Sequence, residues 1–569
     1  MKINKYILLV FSVILAGMSA CSDDFLEQKP YSSLNTGQTE AQVINAQVIG
    51  LHRTFAELWG YSDRQGFLGC WQIGTDVCSP GATEGVENPF YQYADLNSEN
   101  VGVSYLWQKC YDFINNANVI IDAVGETNPA VSAEAKFFRA YAYNILVTFW
   151  SNVPLLTTAI KVPTLDFIRN PVADIDAVID ADLTYAVANL PEVEKAATPS
   201  RINKDMARQL AAECYLRIGM RDNSYFAKAE QMTTQIIDGG KYKLVEARYG
   251  KFMDEGGDYY RDMFRFGNER RKEGNTETIW TFEMEYERNV VGGTINAPQH
   301  RRVWQPAYHK WSGMVNADSL GGRGNGRLRL SNYMKYTVWQ GLDGDIRNSN
   351  YNIRRYVNYN RAGYSEEIGI DAKGFRVEKA SPAAVKTIVV KTGDRAVPYE
   401  ADSLEVWYPY CTKWGGYDAT DDFGWALIKD WQIMRLGETY LLRAEARFRQ
   451  NKNAEAAADI NVLRDRAFKT ARETSGNTTL GQVSSDQINI DFILAERARE
   501  LIGEENRRMT LIRTGQLANH VSMNGDAVPG APSNKVITGF DASKHILLPV
   551  PLREIQLNNG AVLEQNTGY

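Results

Sequence analysis

Hydrophobic positions repeat with a helical period in several separated blocks of the chain. In EAKFFRAYAYNILVTFW, Phe137, Tyr141, Ile145 and Phe149 recur every four residues, and Phe138 and Leu146 widen the stripe. That spacing puts them on one helix face, so the block predicts a buried helix, which SNVP then ends. SRINKDMARQLAAECYLRIG predicts a second helix, with alanines where a neighbour approaches and Gly219 as its C-cap. SYFAKAEQMTTQIIDGGKYKL predicts a third, stopped by Gly239 and Gly240. Two such helices with small residues at their contact look like a tetratricopeptide-type hairpin. The logic returns late in the chain. WQIMRLGETYLLRAEARFRQ carries Ile433, Leu436, Tyr440 and Ala444 on one stripe, and NAEAAADINVLRDRA follows after a polar turn. The irregular spacing of these hairpins predicts an interrupted array.

Between the helical blocks the texture changes. Residues from about 283 to 424 are rich in Gly, Asn, Arg and Tyr, as in GGRGNGRLRL, DGDIRNSNYNIRRYVNYN and PYCTKWGGYDATDDFG. Alternation is weak and local, as in TIVVK. Long irregular stretches inside a folded chain are usually functional. This insert is therefore expected to carry recognition, with the helices supplying rigidity. Aromatic residues make up 11% of the chain. Tyr and Trp in polar loops suit a sugar-binding face, because ring faces pack on the C–H faces of pyranoses.

The N-terminus, MKINKYILLVFSVILAGMSACSDDF, begins with Lys2 and Lys5 and continues with an apolar run from Tyr6 to Gly17. Crossing about 30 Å of hydrocarbon takes roughly 20 apolar residues, so this run is too short to span. It reads as a secretory signal over residues 1–20. Met18, Ser19 and Ala20 directly before Cys21 resemble a bacterial lipobox, which makes Cys21 the lipid anchor and residues 21–38 a polar tether. Such a chain is anchored to a membrane without spanning it. Residues 39–569 are expected to form one domain containing the insert.

Charge and motifs narrow the chemistry. The formal charge is −6, with no basic block, which argues against a nucleic-acid partner. Without the two signal-peptide lysines it falls to about −8, mildly unfavourable to polyanions, although local arginine clusters such as RNVVGGTINAPQHRR can override the average. Past Cys21 five cysteines remain, an odd number without CxxC. Cys70 and Cys78 are close enough in sequence to pair, but buried thiols are the preferred reading. The five histidines are scattered, with no HExxH. No G-x-S-x-G elbow occurs. GGRGNGR lacks a following Gly-Lys-Ser/Thr and reads as a turn. DGDIRNSN starts like a calcium loop at Asp343 and Asp345 but has Asn348 where Gly is needed and no final Glu. No motif singles out a carboxylate pair of the glycosidase kind. Neither an enzyme, nor a metal, nor a cofactor is expected.

Five blocks, taken in order, resemble a known family: LWQKCYDFINNANVII, EAKFFRAYAYNILVTFWSNVPLL, IMRLGETYLLRAEARF with EAAADINVLRDRA, ILAERARELIGEENRRMTLIR, and the terminal LLPVPLREIQLNNGAVLEQNTGY. They resemble the RagB/SusD family of outer-membrane nutrient-binding lipoproteins. The resemblance implies a mainly α-helical fold of about four tetratricopeptide-like helix pairs with an irregular, loop-rich ligand-binding portion. It also implies a hinged lid at the cell surface over a SusC-type TonB-dependent β-barrel transporter, capturing oligosaccharides for import. Asp23 and Asp24 resemble the surface-export signal of such lipoproteins. An oligopeptide ligand in the same transport role, or an assembly scaffold, are the competing readings.

The family's motif residues Phe138, Tyr141, Arg443, Glu445, Arg464, Arg466, Glu496, Glu500, Arg507 and Arg508 are expected to hold the scaffold through satisfied ion pairs. Ligand residues follow no shared motif in the family, so the resemblance carries over regions only. From the N-terminal loop segment around GCWQIGTDVCSP and NPFYQY, the candidates are Trp71, Asp76, Tyr91 and Tyr93. From RRVWQPAYHKWSG in the insert they are Arg301, Arg302, Trp304, Tyr308 and Trp311. The aromatics would stack on sugar rings, and Asp76 and the arginines would read hydroxyls.

Overall fold

The structure, a computed structural model, describes residues 40–60, 68–82, 85–284, 299–399, 406–424, 426–525 and 537–569. The expected signal, the lipid cysteine Cys21 and the tether to residue 38 lie outside the described residues. The chain divides into two units, Met1–Gly50 and Leu51–Tyr569. Of the first, the structure describes the opening turns of helix α1, Glu40–Trp59. No helix among the described residues is long and apolar enough to cross a membrane.

The second unit is mainly helical. Its longer helices before the insert are α2 (Val101–Val124), α3 (Pro129–Trp150), α4 (Val172–Asn189), α5 (Lys204–Gly219) and α6 (Ser224–Asp238). After the insert come α7 (Leu436–Arg449), α8 (Asn453–Ser475), α9 (Ile490–Leu501) and α10 (Arg507–Arg513). Each helix from α2 to α8 packs on the next, including α6 on α7 across the insert, and α9 packs on α7. The array of tetratricopeptide-like hairpins is therefore continuous in space although broken in sequence.

Local chemistry explains the helix ends. The side chains of Asn100, Asn128 and Asn203 accept bonds from the first-turn amides Val103, Val131 and Met206, the bonds those amides otherwise lack. Pro129 occupies the first turn of α3, where no amide is needed. Ser151, with φ of 63°, ends α3. Gly240, with φ of 67°, follows α6 in a conformation that glycine adopts without strain.

Gly219 departs from its expected capping role. It closes α5 inside the helix, and a Cβ there would lie 2.4 Å from the Phe226 ring of α6. It is glycine because a ring fills the space beside it. Ile433 departs as well. Trp431–Arg435 is a strand, β9, and the helix starts only at Leu436, because β9 pairs antiparallel with Thr278–Phe282, β2.

On α3 the predicted stripe is buried at Phe137, Phe138, Ile145, Leu146 and Phe149. Tyr141 is half-buried and accepts a 3.0 Å bond from Trp59 Nε1. Buried guanidinium groups join the helices. Arg139 on α3 grips Asp182 of α4 through two 2.7 Å bonds and donates to Asn118 of α2. Arg217 of α5 donates to Asn144 of α3 and Asp176 of α4 at 2.7 Å. The motif ion pairs expected from the sequence are present. Arg443 meets Asp459 at 2.7 Å, Arg464 meets Glu496 at 2.9 Å, and Arg513 meets Glu445 at 2.7 Å. Arg466 and Arg435 share Glu277 and Glu500.

The insert is more ordered than its sequence predicts. A three-stranded antiparallel sheet joins Ser365–Ile370 (β5), Arg376–Val377 (β6) and Lys386–Lys391 (β7), in the order β6-β5-β7, with Ile368 opposite Ile388 and Gly369 opposite Val377. One two-stranded pair ties the insert to the rest, Cys78–Pro80 (β1) with Leu328–Leu330 (β3), and another closes within it, Ile353–Arg354 (β4) with Tyr410–Cys411 (β8). Tyr308, Trp311, Tyr359, Ile368, Val390 and Trp407 belong to the insert's own apolar core. All five cysteines among the described residues are buried free thiols, Cys70 and Cys78 included.

Candidate ligand-binding site

A cleft of about 400 Å³ opens between residues 252–266 and the insert. The rings of Phe252, Phe266 and Tyr351 line it, together with Arg261, Arg265 and Arg354. Glu255, Asp318 and the backbone of Gly415 and Gly416 complete the lining.

One carboxylate joins the two walls. Asp258 Oδ1 caps the short helix Tyr259–Asp262 by accepting from Arg261 N at 2.7 Å. Its Oδ2 accepts from Ser349 Oγ at 2.7 Å, and Asn352 Nδ2 donates to both oxygens at 3.1 Å. Asn352 O in turn accepts from Thr412 N, and Thr412 O accepts from Arg261 Nη1 at 2.6 Å. This ring of bonds holds Arg261 on one wall and the loop carrying Tyr351 on the other. Tyr351 is 40% exposed, which leaves a ring free to stack.

Arg265 lies over the Phe252 ring at 3.4 Å and donates to Glu255 at 2.7 Å and Asp318 at 3.1 Å. Arg354 enters from β4, opposite Tyr410 of β8, whose hydroxyl donates to Leu320 O. Burial lowers Arg261 to about 10, and the neighbouring Arg354 and Arg265 push the same way. The floor needs glycine: Gly416 N donates to Gly321 O, and a Cβ on Gly322 would sit 2.2 Å from Gly416 O. The GGRGNGR stretch therefore makes a turn, as read, pressed against a second backbone.

The residues singled out from the sequence take other positions, and none lines this cleft. Trp71 is buried edge-on against Trp59, with ring centroids 4.6 Å apart. Asp76 is enclosed, accepting from Arg507 Nε at 2.8 Å and Nη2 at 2.5 Å and meeting His520 Nδ1 at 2.8 Å. Burial would raise this carboxyl, but Arg507 and His520 outweigh it and hold it at about 2. Tyr93 is buried, its hydroxyl donating to Gly74 O and accepting from Arg508 Nη1 at 2.8 Å. Trp304 is buried beside Arg302, which donates to Gln299 Oε1. Tyr308 and Trp311 sit in the insert core, and the Tyr308 hydroxyl accepts from Ala317 N. Arg301 is buried and donates to the carbonyls of Gly416 and Gly424 at 3.4 and 2.8 Å. Tyr91 alone among the nine is only half-buried. Burial removes the ring faces that stacking needs, so the other eight act within the fold, and Arg301 reaches the cleft through Gly416.

Sequence reading missed Phe252, Arg261, Arg265 and Phe266, because FMDEGGDYYRDMFRFG lies before the expected start of the insert. Its signal was the interleaving of arginine with aromatic residues outside any helical period. Tyr351 and Arg354 fall in DGDIRNSNYNIRRYVNYN, a stretch singled out only for its texture.

Among the described residues one group of carboxylates is close enough to consider as a metal site: Glu269, Glu273 and Asp430 bring oxygens within 4.8 Å of one another. Two of its three carboxylates are already paired with cations. Arg270 binds Asp430 through two nitrogens, and Lys429 Nζ lies 3.5 Å from Glu269. The residues do not fit a cation.

Residues 276–569 match the model of the SusD family, and residues 24–216 match a family described as starch-binding, associating with the outer membrane. The chain is 26% identical to SusD-like protein P25 of Formosa agariphila, over the full length of both. It is 36% identical over 140 residues to the starch-binding protein SusD of Bacteroides thetaiotaomicron, covering 25% of this chain and 22% of that protein. Among solved structures, a SusD homolog from Bacteroides thetaiotaomicron superposes with a TM-score of 0.66 at 18% identity, covering 94% of this chain and 99% of its own. The surface glycan-binding protein A of Bacteroides fluxus gives 0.65 at 18%, covering 93% and 100%. A laminarin-binding SusD-like protein gives 0.62 at 20%, covering 93% and 99%. These likenesses show a shared fold.

Proposed function

This chain belongs to the SusD family, and from that premise we propose that it is a cell-surface lipoprotein that captures oligosaccharides and passes them to a SusC-like TonB-dependent barrel. The observation that carries the reading is the cleft between residues 252–266 and the insert. An exposed tyrosine ring, Tyr351, beside charged hydrogen-bonding groups on a rigid frame is what a sugar needs. Names among its relatives support a glycan ligand: starch for one, laminarin for another, glycan for a third. The description of the N-terminal family match supports an outer-membrane location.

The mechanism is binding without chemistry. The two cleft carboxylates, Glu255 and Asp318, are both committed to Arg265, which supports a non-catalytic role. A ring stacked on Tyr351 gains roughly 1 kcal/mol, and ligand favours a closed lid only by the extra contacts it makes there. Residues 1–20 as signal, Cys21 as lipid anchor, residues 21–38 as tether and residues 39–569 as the binding domain complete the proposal.

Calorimetric titration of the chain from Ser22 onward against glycan and oligopeptide panels tests it. Binding of a glycan class, weakened by Tyr351→Ala, is the expected result. Binding of peptides alone would replace the ligand and keep the transport role, and no binding of any glycan would sink the reading. Cys21→Ser is expected to move the protein from the membrane fraction to the soluble one.

A further inference from the structure

The charges in the cleft do not balance. Arg265 is neutralised by Glu255 and Asp318. Arg261 and Arg354 are not: among the described residues neither has a carboxylate within ion-pair distance. Arg261 spends one nitrogen on the Thr412 carbonyl and is 9% exposed. Arg354 Nε is buried without a hydrogen-bond partner.

Several other buried arginines are met by carboxylates, whereas Arg301, a neighbour of the cleft floor, donates to the carbonyls of Gly416 and Gly424. Arg139 is met by Asp182, Arg347 by Asp345, Glu496 and Glu500, and Arg507 by Asp76 and Glu505. Leaving a guanidinium half-desolvated beside another of the same sign is costly unless a counter-charge arrives. Asp258, which caps the short helix carrying Arg261, acts on it, but its oxygens are taken by Arg261 N, Ser349 and Asn352, and it forms no ion pair with either guanidinium. Tyr410, which feels both Arg354 and Arg261, has its hydroxyl raised by burial and so stays neutral. Asp318 acts on Arg261 only weakly and is already bound to Arg265.

We propose that Arg261 and Arg354 receive an anionic substituent of the oligosaccharide, a uronic-acid carboxylate or a sulfate ester, while an adjoining sugar ring packs on Tyr351. The inference rests on the glycan-binding reading above and specifies its ligand. A planar guanidinium presents paired donors that match carboxylate and sulfate oxygens two at a time. The net negative charge of the chain does not oppose this, because exposed charges beyond about 10 Å are screened at ordinary salt while groups inside a cleft are not.

The test is a titration of the chain lacking only its N-terminal signal and lipid cysteine. The ligands are matched sets: oligogalacturonates and their carboxyl-reduced forms, and sulfated galactan oligosaccharides and their desulfated forms. At least one acidic set is expected to bind tenfold or more tightly than its neutral match, with affinity falling as salt rises. The favoured set identifies the anion as carboxylate or sulfate. Arg354→Gln should erase the margin and Arg354→Lys should keep part of it. Arg354 makes no side-chain hydrogen bond among the described residues, so both variants should melt like the parent. Neutral glycans binding as tightly as acidic ones, or a margin unchanged in Arg354→Gln, would overturn this inference and leave the glycan reading standing. Failure of every glycan, neutral or acidic, would overturn both.

Discussion

Asp76 and Arg507, 431 residues apart in sequence, form a two-pronged ion pair at 2.8 and 2.5 Å in a fully buried setting. It joins the N-terminal loop segment to helix α10. Removing one partner of such a pair strands the other charge, at a cost of about 3–5 kcal/mol. Asp76→Ala is therefore expected to lower the urea midpoint sharply. Because the folded carboxyl is held at about 2, its stabilisation is present above the unfolded value of roughly 3.9 and disappears as pH falls through about 2. A variant as stable as the parent at pH 7 would show that the pair is not structural.

Glu438 behaves in the opposite sense. Burial raises it to about 7, with Glu213 and Glu505 adding to the rise and Arg497 opposing it. A raised carboxyl contributes stability that is full below roughly 4.3 and lost as pH rises through the folded value. Unfolding free energy should thus fall by on the order of 1–3 kcal/mol from this group between about pH 5 and pH 8. Glu438→Gln should flatten that part of the curve, and an identical pH profile in the variant would refute the assignment.

Gly219 and Phe226 offer a test by sign. Alanine inside a helix is favoured over glycine by about 1 kcal/mol, yet the added methyl would meet the Phe226 ring at 2.4 Å, and overpacking costs about 1–3 kcal/mol. Gly219→Ala should destabilise the parent and become neutral or stabilising when Phe226 is also alanine. Additive effects in the double variant would contradict the contact.

Tyr351 and Trp311 separate binding from folding. Tyr351→Ala removes an exposed ring, so stability should change by within about 0.5 kcal/mol while glycan affinity falls about fivefold. Trp311→Ala opens the core of the insert and should cost about 3–5 kcal/mol. The two readouts, thermal melting and titration, would refute the division if Trp311→Ala melted like the parent while losing affinity.

The helical array was legible because its signal is local. Phe137, Phe138, Ile145, Leu146 and Phe149 announce their face within a few turns, and the structure buries all of them. The core of the insert was not. Its strands include pieces of two or three residues, such as Ile353–Arg354 and Arg376–Val377, too short for alternation to register. Trp311 and Tyr308 consequently resembled binding residues in a loop. Asp76 misled for a different reason: a lone carboxylate in a loop looks available, and its partner Arg507 is visible only once the chain has folded back. The cleft itself, made by Arg261 and Tyr351 from two segments, had no contiguous signature to read.

Helix α6 packs on α7, yet residues 239–435 separate them. During synthesis at about 5–20 residues per second, α6 waits roughly 10–40 s before its neighbour emerges. Its Glu230, which meets Arg447 of α7 at 3.0 Å and Lys452 just beyond it at 2.6 Å, has neither partner in the interval. The first half of the array is thus born with an unfinished end, and the nascent chain needs shelter at that end until the second half arrives.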